Sequence, residues 1–396
     1  MIPNIPEILN KERFDDFDLP REKLEFALNE ALKKIDYMMD YFNVDQFPAE
    51  SSINQIYGRN LNNRGWGQGF YSGILWHAYE LTGNEKYKER ALAQVPGYYK
   101  RIDEQIGVAH HDMGFVFIPS CVAAYKLAGN EMGKEAAIKA AKHLCTRYHE
   151  KGQFIQAWGK VGDPNAYRLI VDCLLNIPLL YWATETTGDK RFEEIAYNHF
   201  KTTIEVCCRE DASTFHTFYF DVDTGLPKKG VTKQGASDDS AWSRGQTWGI
   251  YGPMLTYIYK KDEKALQTFK ATTNFYLNNL PEDYIPYWDL IFKDGDGEPK
   301  DSSAAAIALC GILEGIKHMD KDDPLRKIYV NACKRTMNSL IDGYLTKDIP
   351  EANGLLLHAV YYKGGNLGVD EMNIWGCYFY MEALHRMLDP EWKLYW

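Results

Sequence analysis

Apolar side chains recur along most of this chain at three- and four-residue spacing, and Gly, Pro and Asp or Asn turns interrupt them. That period gathers apolar positions on one face of a helix, and the interruptions are helix stop and start signals. The pattern predicts about twelve helices, near 20–42, 67–82, 85–104, 114–128, 131–149, 169–187, 190–208, 241–260, 262–280, 302–319, 324–342 and 370–388, with few strands.

The helices come in pairs. WHAYELTGNEKYKERA (76–91), AAYKLAGNEMGKEA (123–136) and YWATETTGDKRFEEIA (181–196) share one plan: an apolar helix, a Gly-Asn or Gly-Asp step, then a more charged helix. The glycine supplies a left-handed C-cap and the Asn or Asp caps the next helix. Gly83, Gly129 and Gly188 align at intervals of 46 and 59 residues, and weaker copies follow. Hairpin repeats of this length stack into a solenoid or close into a ring. The first helix of each pair is apolar on nearly all sides, as in NIPLLYWA (176–183) and AAAIALCGIL (304–313), while the second carries a charged face. An all-round apolar helix is a buried one. Six inner and six outer helices fit an all-α, closed (α/α)6 barrel, one domain spanning 1–396. A solenoid would need polar capping repeats, which the sequence does not display.

The register carries functional information. Trp66, Asp112 and Val171 each lie seventeen residues before an aligned glycine, and Asp172 follows Val171. Trp66, Asp112 and Asp172 are therefore expected where inner helices begin, facing one mouth of the barrel. Asp172 is the only acid in RLIVDCLLNIPLL (168–180). Burying an unpaired carboxylate costs several kcal/mol, so it is either a helix cap, a partner of Arg168, or a reactive group. Asp112, in HHDMGF (110–115), reads as an N-cap or as part of a site. Adjacent histidines rarely ligate one ion together, and no HxxE or HxxxH partner is near, so no metal or other cofactor is expected there. In SAWSRGQTW (240–248), Trp242 and Trp248 flank Arg244, giving stacking area beside a group able to pair with a carboxylate. GWGQGF (65–70) follows no strand, which removes a dinucleotide reading. DGDGEPKD (294–301) has Ala305 where a calcium loop needs Glu, so it reads as a turn.

Composition adds limits. The net charge of −10 argues against nucleic acid, though local Arg, Lys or His can still attract a small anion. Aromatics at 14%, with 27 Tyr and 10 Trp, suit a large core or sugar stacking. The eight cysteines form no CxxC pair and read as reduced, buried thiols. There is no apolar run of membrane-spanning length and no visible signal segment, so a cytoplasmic location without a membrane partner is the expectation.

These motifs, together with KGQFIQAWG (151–159), YRLIVDCLLN (167–176), STFHTFYFD (213–221), KGVTKQG (229–235), SAWSRGQTWGIYG (240–252), YWDLIF (287–292) and GVDEMNIWG (368–376), resemble the unsaturated glucuronyl hydrolases of glycoside hydrolase family 88, in order and over nearly the whole chain. The resemblance implies an (α/α)6 barrel and a small anionic substrate: an oligosaccharide with a 4,5-unsaturated uronic acid at its non-reducing end, as left by polysaccharide lyases acting on glycosaminoglycans such as chondroitin or hyaluronan. It implies hydration of the C4=C5 double bond rather than direct displacement at the glycosidic carbon, so the carboxylate-spacing rule of ordinary glycosidases does not apply. It further implies Asp172 as general acid/base, Asp112 as the second essential carboxylate, and Trp66, His111, His216, Gly230, Thr232, Gln234, Trp242, Arg244 and Trp248 as substrate contacts. Unsaturated rhamnogalacturonyl hydrolases and sugar 2-epimerases share the barrel and are the alternatives, with a non-catalytic carbohydrate-binding protein as a further class. Members preferring sulphated disaccharides carry a Ser-x-x-Ser-x-Lys loop, where this chain has YYKGGNLG (361–368), with Tyr362, Gly365 and Leu367 in those places.

Overall fold

The computed structural model describes residues 3–60 and 63–396. Each aligned glycine ends a helix in the left-handed region, with φ of 67° at Gly83, 62° at Gly129 and 78° at Gly188. The next side chain caps the following helix: Asn84 accepts from the Lys86 amide, Asn130 from Gly133 and Asp189 from Arg191. A fourth copy closes on Lys261, at φ 50°, followed by the cap Asp262. The hairpin repeat is therefore a repeat of capping chemistry.

Six inner helices form a closed ring: Gly69–Thr82; a composite helix of Met113–Phe117, the π segment Ile118–Val122 and Ala123–Ala128; Pro178–Thr187; Ser243–Lys260; Ser302–His318; and Ile374–Leu388. They are buried over most of their length, as their all-round apolar sequences require. The outer layer is Glu85–Asp103, Glu131–Cys145, Lys190–Cys207, Glu263–Asn278, Pro324–Gly343 and the N-terminal Arg21–Tyr41, which packs on the last inner helix. This is the expected (α/α)6 barrel.

Three expected helices are shorter than their periodicity suggests. The stretch 169–187 begins as a strand, Arg168–Ile170, turns through the 3-10 segment Val171–Leu175, and becomes α-helical only at Pro178. Proline lacks an amide donor and is best placed in a first turn, while Arg168–Ile170 is taken by pairing with Thr217–Phe220. Likewise 370–373 precedes the last helix, because Leu367–Glu371 pairs with Ala359–Tyr362, and the helix expected to reach 149 stops at Cys145 before the short strand Tyr148–His149. The three-stranded sheet, completed by Pro227–Val231, and the 359–371 hairpin both lie where inner helices begin. They wall the mouth predicted from the register.

All eight cysteines are free, as expected. Among the described residues no helix is long and apolar enough to cross a membrane.

Candidate active site

The mouth holds a pit of about 150 Å³ lined by Trp66, Asp112, Trp158, Ile170, Asp172, His216, Gln234, Trp242, Arg244, Trp248 and Tyr361. Eight of these are residues singled out from the sequence, delivered by separate segments. Asp112 occupies the N-cap position of Met113–Phe117, yet its carboxylate makes no capping hydrogen bond. Asp172 sits in the 3-10 turn, and Arg168 does not pair with it: that guanidinium donates to the Asn165 carbonyl and lies over Tyr219. Neither aspartate makes a helix-capping side-chain hydrogen bond or pairs with Arg168, and both line the pit.

The two acids are close but unlike. One oxygen of each, with a His111 nitrogen, falls in a group whose atoms are all within 4.8 Å of one another. His111 Nε2 bridges them, 3.3 Å from Asp112 Oδ1 and 3.4 Å from Asp172 Oδ1. Asp112 is buried and also lies 3.0 Å from His110 Nδ1, which accepts the Asp112 backbone amide. Burial opposes its charge, but His111, His110 and Arg147 outweigh that and hold its pKa below the usual carboxylate value. Asp172 has the reverse balance. Its side chain is one-fifth exposed and lines the pit. Burial and then the Asp112 charge push its pKa well above the usual range, against the pull of Arg244 and two backbone amides. Two like charges at this separation cannot both persist cheaply, and Asp172 is the member of the pair whose protonated form is favoured. Burial lowers His111 to about 4 and His216 to about 3, so both are neutral bases near neutral pH.

The walls are aromatic and pre-set. Trp66 Nε1 donates to Tyr361 Oη at 3.0 Å, and its ring packs on Trp375 at 4.8 Å. His216 meets the Trp242 ring edge-on at 4.8 Å. Trp158, 40% exposed, stacks on His110 at 4.5 Å and 15°, which extends a flat apolar face from the acids to the rim. Arg244 lies between Trp242 (4.4 Å) and Trp375 (4.8 Å). Its guanidinium donates to the carbonyls of Val360 and Tyr361, to Gln234 Oε1 at 3.1 Å and to Asp301 Oδ2 at 3.3 Å. Both terminal nitrogens of this guanidinium, a group able to pair with a carboxylate, are thus taken by protein oxygens. Arg244 contributes fixed positive charge.

Three expected contacts fall outside the pit wall. His111 is fully buried behind the two acids. Thr232 is buried, its hydroxyl bonded to Arg209 and to the Asp238 and Ser240 carbonyls. Gly230 faces the Phe215 ring so closely that a Cβ would meet it at 2.5 Å. Trp158 and Tyr361 were missed. The bridge between His110 and Trp158 and the 359–371 hairpin bring them in, and neither pairing has a spacing signature. In the sulphate-loop stretch, Lys363 reaches Glu298 at 3.6 Å.

Two groups of three metal-ligating side chains occur among the described residues: His111, Asp112 and Asp172 in the pit, and His77, Glu80 and His385 at the far end of the barrel. In the second, the two Nδ1 atoms contact each other at 3.0 Å and Trp392 and Tyr395 donate to Glu80, while His77 Nε2 has no hydrogen-bond partner among the described residues. The first is the pair of unlike acids with His111 described above.

The sequence profile described as Glycosyl Hydrolase Family 88 matches residues 35–376. The chain belongs to that family. The unsaturated chondroitin disaccharide hydrolase of Streptococcus agalactiae serotype III (strain NEM316) is 46% identical over 393 residues, 99% of this chain and 98% of that protein. The unsaturated glucuronyl hydrolase of Bacillus sp. (strain GL1) is 41% identical over 344 residues, 87% and 91% of the two chains. A crystal structure of unsaturated glucuronyl hydrolase from S. agalactiae superposes with a TM-score of 0.97 at 46% identity, covering 100% of this chain and 99% of that one. A mutant of that enzyme, solved in complex with dGlcA-GalNAc6S, gives a TM-score of 0.90 at 42% identity, with the same coverage. As a family member the chain is a glycosidase on a helical barrel, and its pit holds two unlike carboxyls among four tryptophans.

Proposed function

We propose that this enzyme releases 4,5-unsaturated glucuronic acid from the non-reducing end of lyase-generated glycosaminoglycan oligosaccharides by hydrating the C4=C5 bond. The observation that carries the reading is the unlike pair in the pit: Asp172, whose pKa burial and the Asp112 charge push well above the usual range, beside Asp112, whose pKa lies below it. An enol ether is activated by proton donation to carbon, which calls for an acid whose pKa is raised toward working pH. Asp172 protonates C4. The positive charge that develops at C5 and the ring oxygen is stabilised by the Asp112 carboxylate. Asp172, now a base, takes a proton from the water that adds to C5. The hemiketal so formed opens, the glycosidic oxygen departs with a proton, and no bond to the protein is made.

The remaining roles follow from placement. Trp66, Trp242 and Trp248 present flat apolar surface to the sugar, and Trp158 extends it toward the leaving group. Neutral His216 and Gln234 offer polar contacts at the wall. Arg244 supplies a positive potential for the uronate without moving. His111, although buried, lies 3.3 Å and 3.4 Å from the two carboxylates and adds to their electrostatic environment. The chain acts as a single catalytic domain, because the pit draws residues from Trp66 to Tyr361.

The test is direct. Purified protein mixed with an unsaturated chondroitin or hyaluronan disaccharide should abolish the ultraviolet absorbance of the conjugated double bond, and an Asp172→Asn variant should not. A chromophore left intact by wild-type protein across several uronyl disaccharides would sink the reading.

A further inference from the structure

One buried cation outside the pit is bound to the segments that build it. Arg101, 1% exposed, lies near the end of the outer helix Glu85–Asp103. Its guanidinium donates to five oxygens: the carbonyls of Gly65 (2.8 Å), Arg64 (3.1 Å) and Gly107 (2.9 Å), Asn63 Oδ1 (3.3 Å) and Gln68 Oε1 (3.4 Å). None is a carboxylate. Burial lowers its pKa only to about 10, so it stays charged at neutral pH. A buried charge without a direct ion pair is costly; the Glu50 and Asp112 charges offset part of that cost, and both terminal nitrogens are spent on two loops.

Those loops are 63–68, which carries Trp66, and 106–112, which carries Asp112. They touch where Gly107, at φ 58°, is packed so that a Cβ would meet the Arg64 carbonyl at 2.9 Å. The Gly107 carbonyl has a second donor, His110 Nε2 at 2.9 Å. That bond places a proton on Nε2 and turns Nδ1 toward Asp112, where it accepts the backbone amide and lies 3.0 Å from Oδ2. A continuous path therefore runs from Arg101 through Gly107 and His110 to the backbone amide of Asp112, and a second from Arg101 through Gly65 to Trp66.

We propose that Arg101 is a positioning residue that locks the Trp66 loop and the His110–Asp112 segment into one register. It never touches the sugar and acts only through these two loops. Lysine cannot replace it, because a point-charge ammonium with three donors cannot serve a fan of five oxygens. The inference rests on the reading of the pit given above.

The experiment uses the full chain carrying Arg101→Lys. Turnover of the unsaturated disaccharide should fall about ten- to hundredfold, the scale of a sub-ångström to ångström misplacement. The acid limb of the pH–rate profile should move to higher pH as Asp112 shifts away from His111 and Arg147, which hold its pKa down. In the absence of substrate, hydrogen exchange should rise in 63–68 and in 106–112 together. Folded Arg101→Lys with wild-type turnover, pH profile and exchange would overturn the proposal, as would faster exchange in one loop alone. If the lysine variant does not fold, Gln68→Met removes one of the five oxygens with Arg101 retained, and should show the same changes at severalfold size. Unchanged behaviour there also overturns it. The exchange readout separates this idea from the catalytic one: loops that loosen together in a protein inactive on every uronyl disaccharide would support the clamp and refute the function.

Discussion

At the residue scale the chemistry reduces to where one proton sits. Asp172 is raised by burial and by Asp112, and Asp112 is lowered by its histidines and Arg147. Activity should therefore be bell-shaped in pH, lost on the alkaline side as Asp172 ionises and on the acid side as Asp112 gains a proton. Replacing Asp172 by Asn should cut turnover by about 10²- to 10⁴-fold, the usual contribution of a positioned acid–base group, while disaccharide binding measured by calorimetry persists. The same substitution has a stability signature of definite sign. A carboxyl whose folded pKa is raised favours the fold below its unfolded pKa and loses that contribution as pH rises through the folded value. Asp172→Asn should thus melt above wild type at neutral pH, with the gap closing toward acid. A lower melting temperature at neutral pH would contradict the raised pKa. Asp172 was legible as a lone acid in an apolar run. Its neighbours Trp158 and Tyr361 were not, because each arrives by a tertiary pairing that leaves no periodic trace.

At the scale of elements, the barrel's capping repeat was legible because Gly, Asn and Asp state their backbone roles locally. The starts of two inner helices were not, because strand pairing at the mouth overrides helical periodicity around 169–171 and 370–371. Those overrides build the site: the first turns Asp172 into the pit and the second brings Tyr361. The Asp112 and Asp172 segments meet at Gly114, where a Cβ would lie 2.4 Å from the Asn176 Cα. Gly114→Ala should destabilise the fold by about 1–3 kcal/mol in denaturant titrations and slow turnover by separating the two acids. Arg244 ties the helix Ser243–Lys260 to the hairpin carbonyls and to Asp301, which also caps Ser302–His318. Asp301→Ala leaves a buried guanidinium unpaired and should cost about 3–5 kcal/mol. Arg244→Ala should raise KM for the anionic sugar and also lower the melting temperature; an unchanged KM would make Arg244 purely structural.

At the scale of the molecule, closure is what gives the site its shape. The N-terminal helix Arg21–Tyr41 packs on the last inner helix Ile374–Leu388, so the ring ends where it began. At the far end of the axis Arg386 is buried between Glu314, Glu382 and Tyr251, and the Trp396 ring stacks on Phe379. Calorimetry should accordingly record one unfolding transition, and two separated transitions would divide the domain. Closure was readable from six apolar helices alternating with six amphipathic ones. The clamp through Arg101 was not, since nothing in EKYKERALAQVPGYYKRID distinguishes a buried arginine from a solvated one. The central claim is that the two acids hydrate a double bond and leave the glycosidic carbon untouched. It is tested most directly by incubating the enzyme with an unsaturated disaccharide and, in parallel, with the same disaccharide bearing a saturated glucuronic acid. The expected result is complete cleavage of the first, with loss of its ultraviolet absorbance, and no cleavage of the second; cleavage of both at comparable rates would contradict it.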